Sequence, residues 1–417
     1  MKQLLKNIVT TILIFESRLI LKKYKPSIIA VTGSVGKTST KDAIYTVLAS
    51  TCHIRKSDKS FNSEIGIPLT IIGCQNAWND PFHWLKNIFI GLEILMFRSD
   101  YPECLILEIG ADHPGDIQKV GKWLKPDIAV ITKVSEIPVH VEFFPSPEAV
   151  LVEKFYLAKS LKSEGVLVLS ADDARLIEAG KEIKQKILTF GIHNKATITA
   201  SDITMDIQKG ISFKLNYEGN SIPVSIAGVL GNQHIYPIIA STTVGIARGV
   251  SISKIIDSLH SHIVPRGRMN IIPGINGSHI IDDTYNSSPD AVSEALLALS
   301  TIQVTGKKIS VLGDMMELGK FSADEHKKAG DQTLKSCDTF ITVGPRAKFM
   351  GEGKAVHFDS AYEAGEYLKN IVGVGDVVLI KGSQSMRLER VTKALLAEPE
   401  KASELLVRQE EEWLAKK

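Results

Sequence analysis

The chain has 417 residues, more than one ordinary domain accommodates, so two or three domains with substantial cores are expected. Its 49 Lys and Arg nearly balance 47 Asp and Glu, leaving a formal charge of +2, and no basic block is long enough to follow a nucleic-acid backbone, so no nucleic-acid partner is expected. Cys52, Cys74, Cys104 and Cys337 stand far apart with no CxxC pair, which argues against a zinc site or a disulfide framework and for a reduced, cytoplasmic protein.

At the start of the chain, "NIVTTILIF" (7–15) is apolar but too short to cross a bilayer, which takes about 20 apolar residues. Glu16 and Arg18 interrupt it, and no small-residue cleavage site follows. Leu5, Ile8, Ile12, Phe15 and Leu19 recur at helical spacing, flanked by Lys2, Lys6, Lys22, Lys23 and Lys25. Residues 1–25 are therefore expected to form an amphipathic helix. It either docks on its own protein or lies at the inner face of a membrane as a peripheral contact.

From Pro26 the chain alternates β-rich runs with helical stretches: "SIIAVTG", a helix after Gly36, then "CLILEIG", "DIAVITKV" and "GVLVLSADD". That alternation predicts a parallel sheet covered on both faces. The first strand runs into "VTGSVGKTST" (31–40), a strand, a glycine turn and a helix beginning near Lys37. In such a turn backbone N–H groups and the positive helix end surround phosphate oxygens. Gly33 and Gly36 permit the turn, Lys37 supplies a point charge and the Thr38 hydroxyl can ligate Mg²⁺. The spacing departs from GxxxxGK[ST], since Val31 stands at the first glycine position.

Residues 196–228 read as three strands in an antiparallel annex, with turns around Gly210 and Gly219 to Asn220. Helical stretches follow at about 235–248 and 253–260, and "VPRGRM" then breaks the pattern, so domains are expected at 26–263 and 264–417. The second α/β series runs "NIIPGI", "HIIDDTYN", "KKISVLGD", "TFITVG" and "DVVLIKGS", each strand with a helix expected after it. The strands end at Gly, Asp or Asn, and the carboxyl ends of parallel strands are where ligand groups collect. The tail "ASELLVRQEEEWLAKK" predicts one charged amphipathic helix with Leu405, Leu406 and Trp413 on its apolar side.

The stretch TGSVGKTSTK resembles the phosphate loop of Mur ligases and folylpolyglutamate synthetases, and the resemblance extends from about Lys25 to Glu389. Its most specific pieces are "FNSEIGIPLT" (61–70), "LEIGADHPGDI" (107–117), "IIDDTYNSSPDA" (280–291), "VLGDMMELG" (311–319) and "VLIKGSQSMRLE" (378–389), which together look most like the MurF type. The fold so implied is α/β, a central P-loop ATPase-like domain with a mostly parallel sheet and a Rossmann-like C-terminal domain. The implied reaction activates a carboxylate with ATP to an acyl phosphate, which an amine attacks to form an amide. The implied substrates are a UDP-N-acetylmuramoyl tripeptide and D-alanyl-D-alanine, and the cofactors are ATP and Mg²⁺. A monomer is expected.

Residue by residue, the resemblance makes Thr32, Gly33, Ser34, Val35, Gly36, Lys37, Thr38 and Ser39 the phosphate-binding segment. Glu108 matches a metal-ligating glutamate, His140 a second metal-site histidine, and Lys154 the lysine that is carbamylated in most members, with Lys159 a competing position. With Lys37 these form the implied catalytic set. Asn62 and Glu64 match a loop near the metals and the acyl substrate. Arg268, with Arg266 as a nearby rival, would stabilise phosphate charge, while Asp283 and Asn286 would fix the nucleotide. Ser385, Met386 and Arg387 are candidate contacts to the acyl acceptor. Two departures stand out: "GNQHIYP" places Pro237 where the family carries an adenine-contacting asparagine, and only residues 1–25 precede the loop region, so the family's N-terminal UDP-binding domain is expected to be absent. Rival readings are a Mur-family ligase for another amino acid or a folate-like polyglutamate, and a non-catalytic nucleotide-binding module that associates with a membrane.

Overall fold

The computed structural model describes residues 2–58, 61–78 and 80–415, which fold around two sheets. The first has nine strands: β1 (Ser27–Thr32), β2 (Ile54–Lys56), β3 (Cys104–Glu108), β4 (Ile128–Ile131), β5 (Val166–Ser170), β6 (Lys186–Gly191), β7 (Ile198–Asp206), β8 (Gly210–Tyr217) and β9 (Asn220–Ile226). Their order is β2-β3-β1-β4-β5-β6-β7-β8-β9, parallel from β2 through β7 and antiparallel from β7 to β9. The three strands expected at 196–228 are β7, β8 and β9, antiparallel as read, and β7 joins them to the first sheet by pairing with β6 at Phe190 and Gly191. Continuous apolar runs such as "SIIAVT" need cover on both faces, and helices supply it.

The second sheet has six strands: β10 (Asn270–Pro273), β11 (His279–Asp283), β12 (Lys308–Gly313), β13 (Thr339–Val343), β14 (Val356–Phe358) and β15 (Val377–Lys381). The order is β10-β11-β15-β12-β13-β14, all parallel except the edge strand β10. β10 leads only into a 3-10 turn at Ile275–Gly277 and pairs back with β11, so the helix expected after it does not form. The tail is not one helix either. Arg408, at φ 58, breaks it into Ala402–Leu405 and Glu411–Leu414. The Arg408 guanidinium turns inward to Glu389 (3.2 Å) and the Thr284 carbonyl, and a buried charge that needs those partners overrides the helical pattern.

Helix α1 (Lys2–Tyr24) packs beside α3 (Gly66–Ile72) and α4 (Pro81–Met96), with α2 (Lys37–Leu48) on the opposite face of the first sheet. The Leu5 and Lys2 side chains of the predicted apolar series lie outside the described residues. The docked face of α1 is Val9, Leu13, Ser17 and Ile20, whereas Ile8, Phe15 and Leu19 point outward, so the helix is apolar on two sides. Asp80 caps the start of α4 by accepting from the Phe82 and His83 N–H groups. The Lys23 ammonium closes its end by donating to the carbonyls of Ile94 and Phe97 at 2.8 and 2.6 Å. Between the helices Gly91 leaves room for the Glu16 carboxyl, which a Cβ would strike. No helix among the described residues is long and apolar enough to cross a membrane.

Both Glu16 oxygens are buried without a hydrogen-bond partner, and burial pushes the carboxyl pKa up from 4.5 to about 7. Below pH 4.5 the group is protonated folded or unfolded and carries no penalty; above pH 7 it must be buried ionised, so stability falls as pH rises between the two values. Glu16→Gln is expected to raise the melting temperature at pH 8, by on the order of 1–2 kcal/mol of stability, and to leave it unchanged at pH 4. Thermal unfolding of both proteins at the two pH values checks this.

Candidate active site

β1 lies between β3 and β4, and all three strands end on the same edge of the sheet. The turn after β1 is pinned there by its neighbour. The Thr132 hydroxyl at the end of β4 lies 2.6 Å from the Val35 carbonyl and 3.2 Å from that of Thr32, and the Ser34 N–H donates to the Lys133 carbonyl at 2.7 Å. Gly33 has φ 149, and a Cβ on it would overlap the Thr132 hydroxyl. Gly36, at φ 84, starts α2 with no side-chain cap, which leaves the first-turn N–H groups to an anion. Thr32 is buried and donates its hydroxyl to the Ile109 carbonyl, so Thr32 and Gly33 shape the loop while Ser34 through Ser39 line the cavity beside it. The Lys37 ammonium folds onto the Gly33 carbonyl at 2.9 Å, and burial lowers its pKa against the opposing pull of Glu108.

Glu108 stands level with Val31 at the end of β3. Its Oε1 accepts from the Asn62 amide at 3.4 Å, while Oε2 is buried with no partner. Lys154, on helix α6 (Pro147–Lys159; α5 is Asp116–Leu124), is buried. Burial first, and the Lys37 charge second, push its ammonium down to about 7. A lysine so placed is largely neutral near pH 8, the form able to react with CO₂. His140, at φ 67, sets Nδ1 2.8 Å from Glu317 Oε2 and Nε2 3.7 Å from Asp112 Oδ1. The bond to His140 holds the Glu317 carboxyl below its usual range.

The second sheet brings its strand ends to the same place. Asp283, ending β11, accepts from the Lys381 ammonium at 2.7 Å, and Lys381, ending β15, also donates to the Asn286 carbonyl at 3.0 Å. Arg268 stacks over the Tyr285 ring at 4.4 Å with a buried Nε that has no partner, and its charge bears on Lys37. Its rival Arg266 donates to the Ser403 carbonyl at 2.6 Å and does not line the cavity. Lys133 pairs with Asp290 at 3.5 Å across the gap.

Together these elements enclose a cavity of about 290 Å³ lined by Lys37, Thr38, Asn62, Glu108, His140, Arg268, Asp283 and Asn286 among others. Of the 14 buried side-chain polar atoms without a partner among the described residues, eight belong to its lining residues Ser34, Glu108, Ser135, Gln233, His234, Arg268, Ser287 and Glu294. Buried polar groups are normally satisfied, so this concentration marks a ligand site with many hydrogen bonds to offer. Phe190, Tyr236 and Pro237 line the same cavity as Gln233 and His234. Burial pushes His234 down to about 3, which makes it a neutral imidazole able to accept through Nε2. Gln233 and His234 thus offer polar contacts where Pro237 offers none.

Several predicted residues fall elsewhere. Glu64 is exposed and lines a second cavity of about 270 Å³, which shares Asn62 with the first and is walled by Lys6 and Ile14 of α1. Lys154 and Lys159 are not among the residues lining the first cavity, and Lys159 pairs outward with Glu182. Ser385 is exposed, Met386 packs toward Gly313 and Gly344, and Arg387 is buried against Glu389 at 2.5 Å, so the cavity takes Gln384 from this turn and none of the three. Lys381, Gln233, His234 and Glu317 escape the sequence reading; "KGS" and "GNQH" at strand and helix ends were the available signals. No cluster of three or more metal-ligating side chains occurs among the described residues. Mg²⁺ needs none, since it is held by one or two carboxylates together with phosphates and water. The unpartnered Glu108 Oε2 and the Thr38 hydroxyl fit that need.

A phosphate loop on one α/β domain, faced across a polar cleft by an arginine and a Lys–Asp pair from a second, defines a two-domain nucleotide-binding enzyme. The chain belongs to the Mur ligase family: residues 31–245 match the Mur ligase middle domain and residues 267–384 the Mur ligase glutamate ligase domain. It is 29% identical over 381 residues to the UDP-N-acetylmuramoyl-tripeptide–D-alanyl-D-alanine ligase of Bacillus subtilis (strain 168), covering 89% of this chain and 76% of the relative. The enzyme of that name from Buchnera aphidicola subsp. Baizongia pistaciae is 28% identical over 411 residues, covering 95% and 83%. The crystal structure of MurF ligase from Thermotoga maritima in complex with ADP superposes with a TM-score of 0.80 at 29% identity, covering 94% of this chain and 84% of that one.

Gly33→Ala is expected to destabilise the protein by about 1–3 kcal/mol and to abolish ADP binding, because the new Cβ meets the Thr132 hydroxyl at a left-handed φ. Adding Thr132→Ala should recover part of the stability. Calorimetric titration with ADP and thermal melts of the single and double variants read both effects.

Proposed function

We propose that the protein is an ATP-dependent ligase of peptidoglycan precursor synthesis that joins D-alanyl-D-alanine to a UDP-N-acetylmuramoyl tripeptide in the cytoplasm, working as a monomer. The observation that carries this reading is the convergence of eight buried, unpartnered polar atoms on one cleft between the phosphate loop and Arg268. The relatives' named activity supplies the substrates. Residues 26–263 and 264–417 act as the two domains that close on the nucleotide.

In this reading Lys37, Thr38 and the first-turn N–H groups of α2 hold the β and γ phosphates. Arg268 neutralises charge on the phosphoryl group from the other side, and Asp283 with Asn286 orients the nucleotide. Thr38 and Glu108 would hold Mg²⁺, and His140 Nε2 with a carbamylated Lys154 would serve a second ion. His140 Nδ1 is already fixed by Glu317, while Nε2 faces Asp112 at 3.7 Å. The bound metal supplies charge neutralisation at the phosphates. The donor carboxylate takes the γ-phosphoryl group as the β–γ bond breaks and ADP leaves. The acceptor amine then forms the C–N bond, losing a proton as phosphate departs. The second cavity, which shares Asn62 with the first, receives the muramoyl peptide, with Lys6 and Lys119 as its cations and Glu64 on its wall.

The test is ADP and phosphate release from the purified protein with Mg²⁺, ATP, UDP-muramoyl tripeptide and D-alanyl-D-alanine, each omitted in turn. Release that requires both substrates is expected, and release indifferent to either one overturns the substrate assignment. Lys37→Ala should lower kcat/KM by about 10²–10³, the usual loss when one group aimed at developing charge is removed. Lys154→Ala should be inactive and partly rescued by a small carboxylate standing in for the carbamate; full activity without rescue would place the metal role elsewhere.

A further inference from the structure

Helices α1 and α4 run side by side in the same direction, with Glu16 against Gly91 at one level and Lys23 and Tyr24 against Ile94 and Phe97 a turn or two further on. α4 carries an outward row at Phe82, Leu85, Phe89, Leu92 and Met96, spaced by three and four residues, and none of the described residues covers it. Phe82 is 84% exposed and Met96 74%. Ile8, Phe15 and Leu19 add the outer row of α1, and Trp78 and Phe97, at the two ends of α4, are 75% and 62% exposed. Among the described residues this series makes up ten of the twenty exposed large apolar side chains, on two neighbouring helices and their ends. Scattered apolar residues need no explanation, but a concentration of this kind marks an interaction surface.

The charges around it narrow the occupant. Arg18, Lys22, Lys25, Lys86 and Arg98 are exposed on or beside the two helices. The exposed acids of the same segments are fewer: Asp80, 2.6 Å from His83, Glu93, Asp100, 3.6 Å from His53, and Glu103. An apolar row of Phe, Leu and Met, a tryptophan at its edge and a basic rim is the composition of a helix lying in the headgroup region of an anionic bilayer. We infer that the α1–α4 pair is a monotopic platform that seats the protein on anionic lipid, with the outer rows entering the acyl boundary and the lysines meeting the headgroups. Neither helix spans, in keeping with the absence of a membrane-crossing helix among the described residues. This inference is independent of which substrates the cleft takes.

The test is flotation of the full chain with vesicles of phosphatidylcholine alone and of phosphatidylcholine with phosphatidylglycerol. Binding to the anionic vesicles, about ten-fold weaker to the neutral ones and weakened by high salt, is expected. The double variant Phe82→Ser/Phe89→Ser removes exposed rings that the fold does not bury. It should lower anionic-vesicle partitioning by about ten-fold or more with an unchanged melting temperature and unchanged ADP binding. Lys22→Gln/Lys86→Gln should weaken binding to anionic vesicles only. Failure to float with anionic vesicles, or flotation unaffected by the serine variant, overturns the inference. So does sedimentation showing a concentration-dependent dimer that the serine variant dissolves while vesicles bind neither protein, since the face would then belong to a second copy.

Discussion

The close approach of two strand ends governs the rest of the molecule. The Thr132 hydroxyl sits so near Gly33 that only a residue without a side chain fits between β1 and β4. That contact turns the chain sharply out of the sheet, so that α2 begins with its N–H groups facing the cleft. Strand order does the remainder. With β3 on one side of β1 and β4 on the other, Glu108, Lys37, Thr132 and Lys133 reach one edge from three strands, although more than 90 residues of sequence separate Lys37 from Lys133. A buried carboxylate, the buried Lys37 and an uncapped helix end then share a small volume. Their mutual electrostatics favour a polyanion with its counter-cations over water, since phosphates satisfy the lysine and cations satisfy the carboxylate.

The second domain meets this edge with comparatively weak bonds of its own. Lys133–Asp290 and His140–Glu317 cross the gap, but all four side chains are a quarter or more exposed, and pairs of that kind contribute about 0–1 kcal/mol each. The stronger commitments lie inside the second domain, where Lys381 is buried against Asp283, and Glu389 holds Arg387 and Arg408. Those bonds set the shape of the C-terminal wall before any ligand arrives. The unpartnered Arg268 Nε and Glu108 Oε2, one from each side of the cleft, are the groups a bound ligand would satisfy.

Legibility in the sequence followed the range of the interactions. The turn between β1 and α2 was readable because its instruction is local: two glycines, a lysine and a threonine between a strand and a helix. The two α/β series were readable for the same reason, since continuous apolar runs ending in Gly or Asp state their own geometry. Lys381 was not, because its role depends on β15 lying next to β11 nearly a hundred residues earlier in sequence. Arg387 misled in the opposite sense. It stands in a ligand-like turn, yet Glu389 two residues on, together with Trp413 beside it, claims the guanidinium for the fold. The tail failed as a single helix because Arg408 seeks Glu389 rather than solvent. At the other end, the helical period of Ile8, Phe15 and Leu19 was real but belonged to the outer face, since Val9, Leu13 and Ile20 form a second apolar stripe that the first obscured.

That double stripe constrains how α1 can act. Leu13 and Ile20 are fully buried and Val9 nearly so, and lifting three aliphatic side chains into water costs on the order of 5 kcal/mol. Partnering the outer face cannot repay this by pulling the helix away, because the outer row is already exposed and gains its contacts without any movement. Helix α1 therefore meets its surroundings while still docked. Its inner side meanwhile supplies Lys6 and Ile14 to the second cavity, which shares Asn62 with the first. One rigid helix is thus both the outer surface of the protein and a wall of the cavity next to the phosphate loop, so the orientation in which the protein is held also sets the direction from which that cavity is entered.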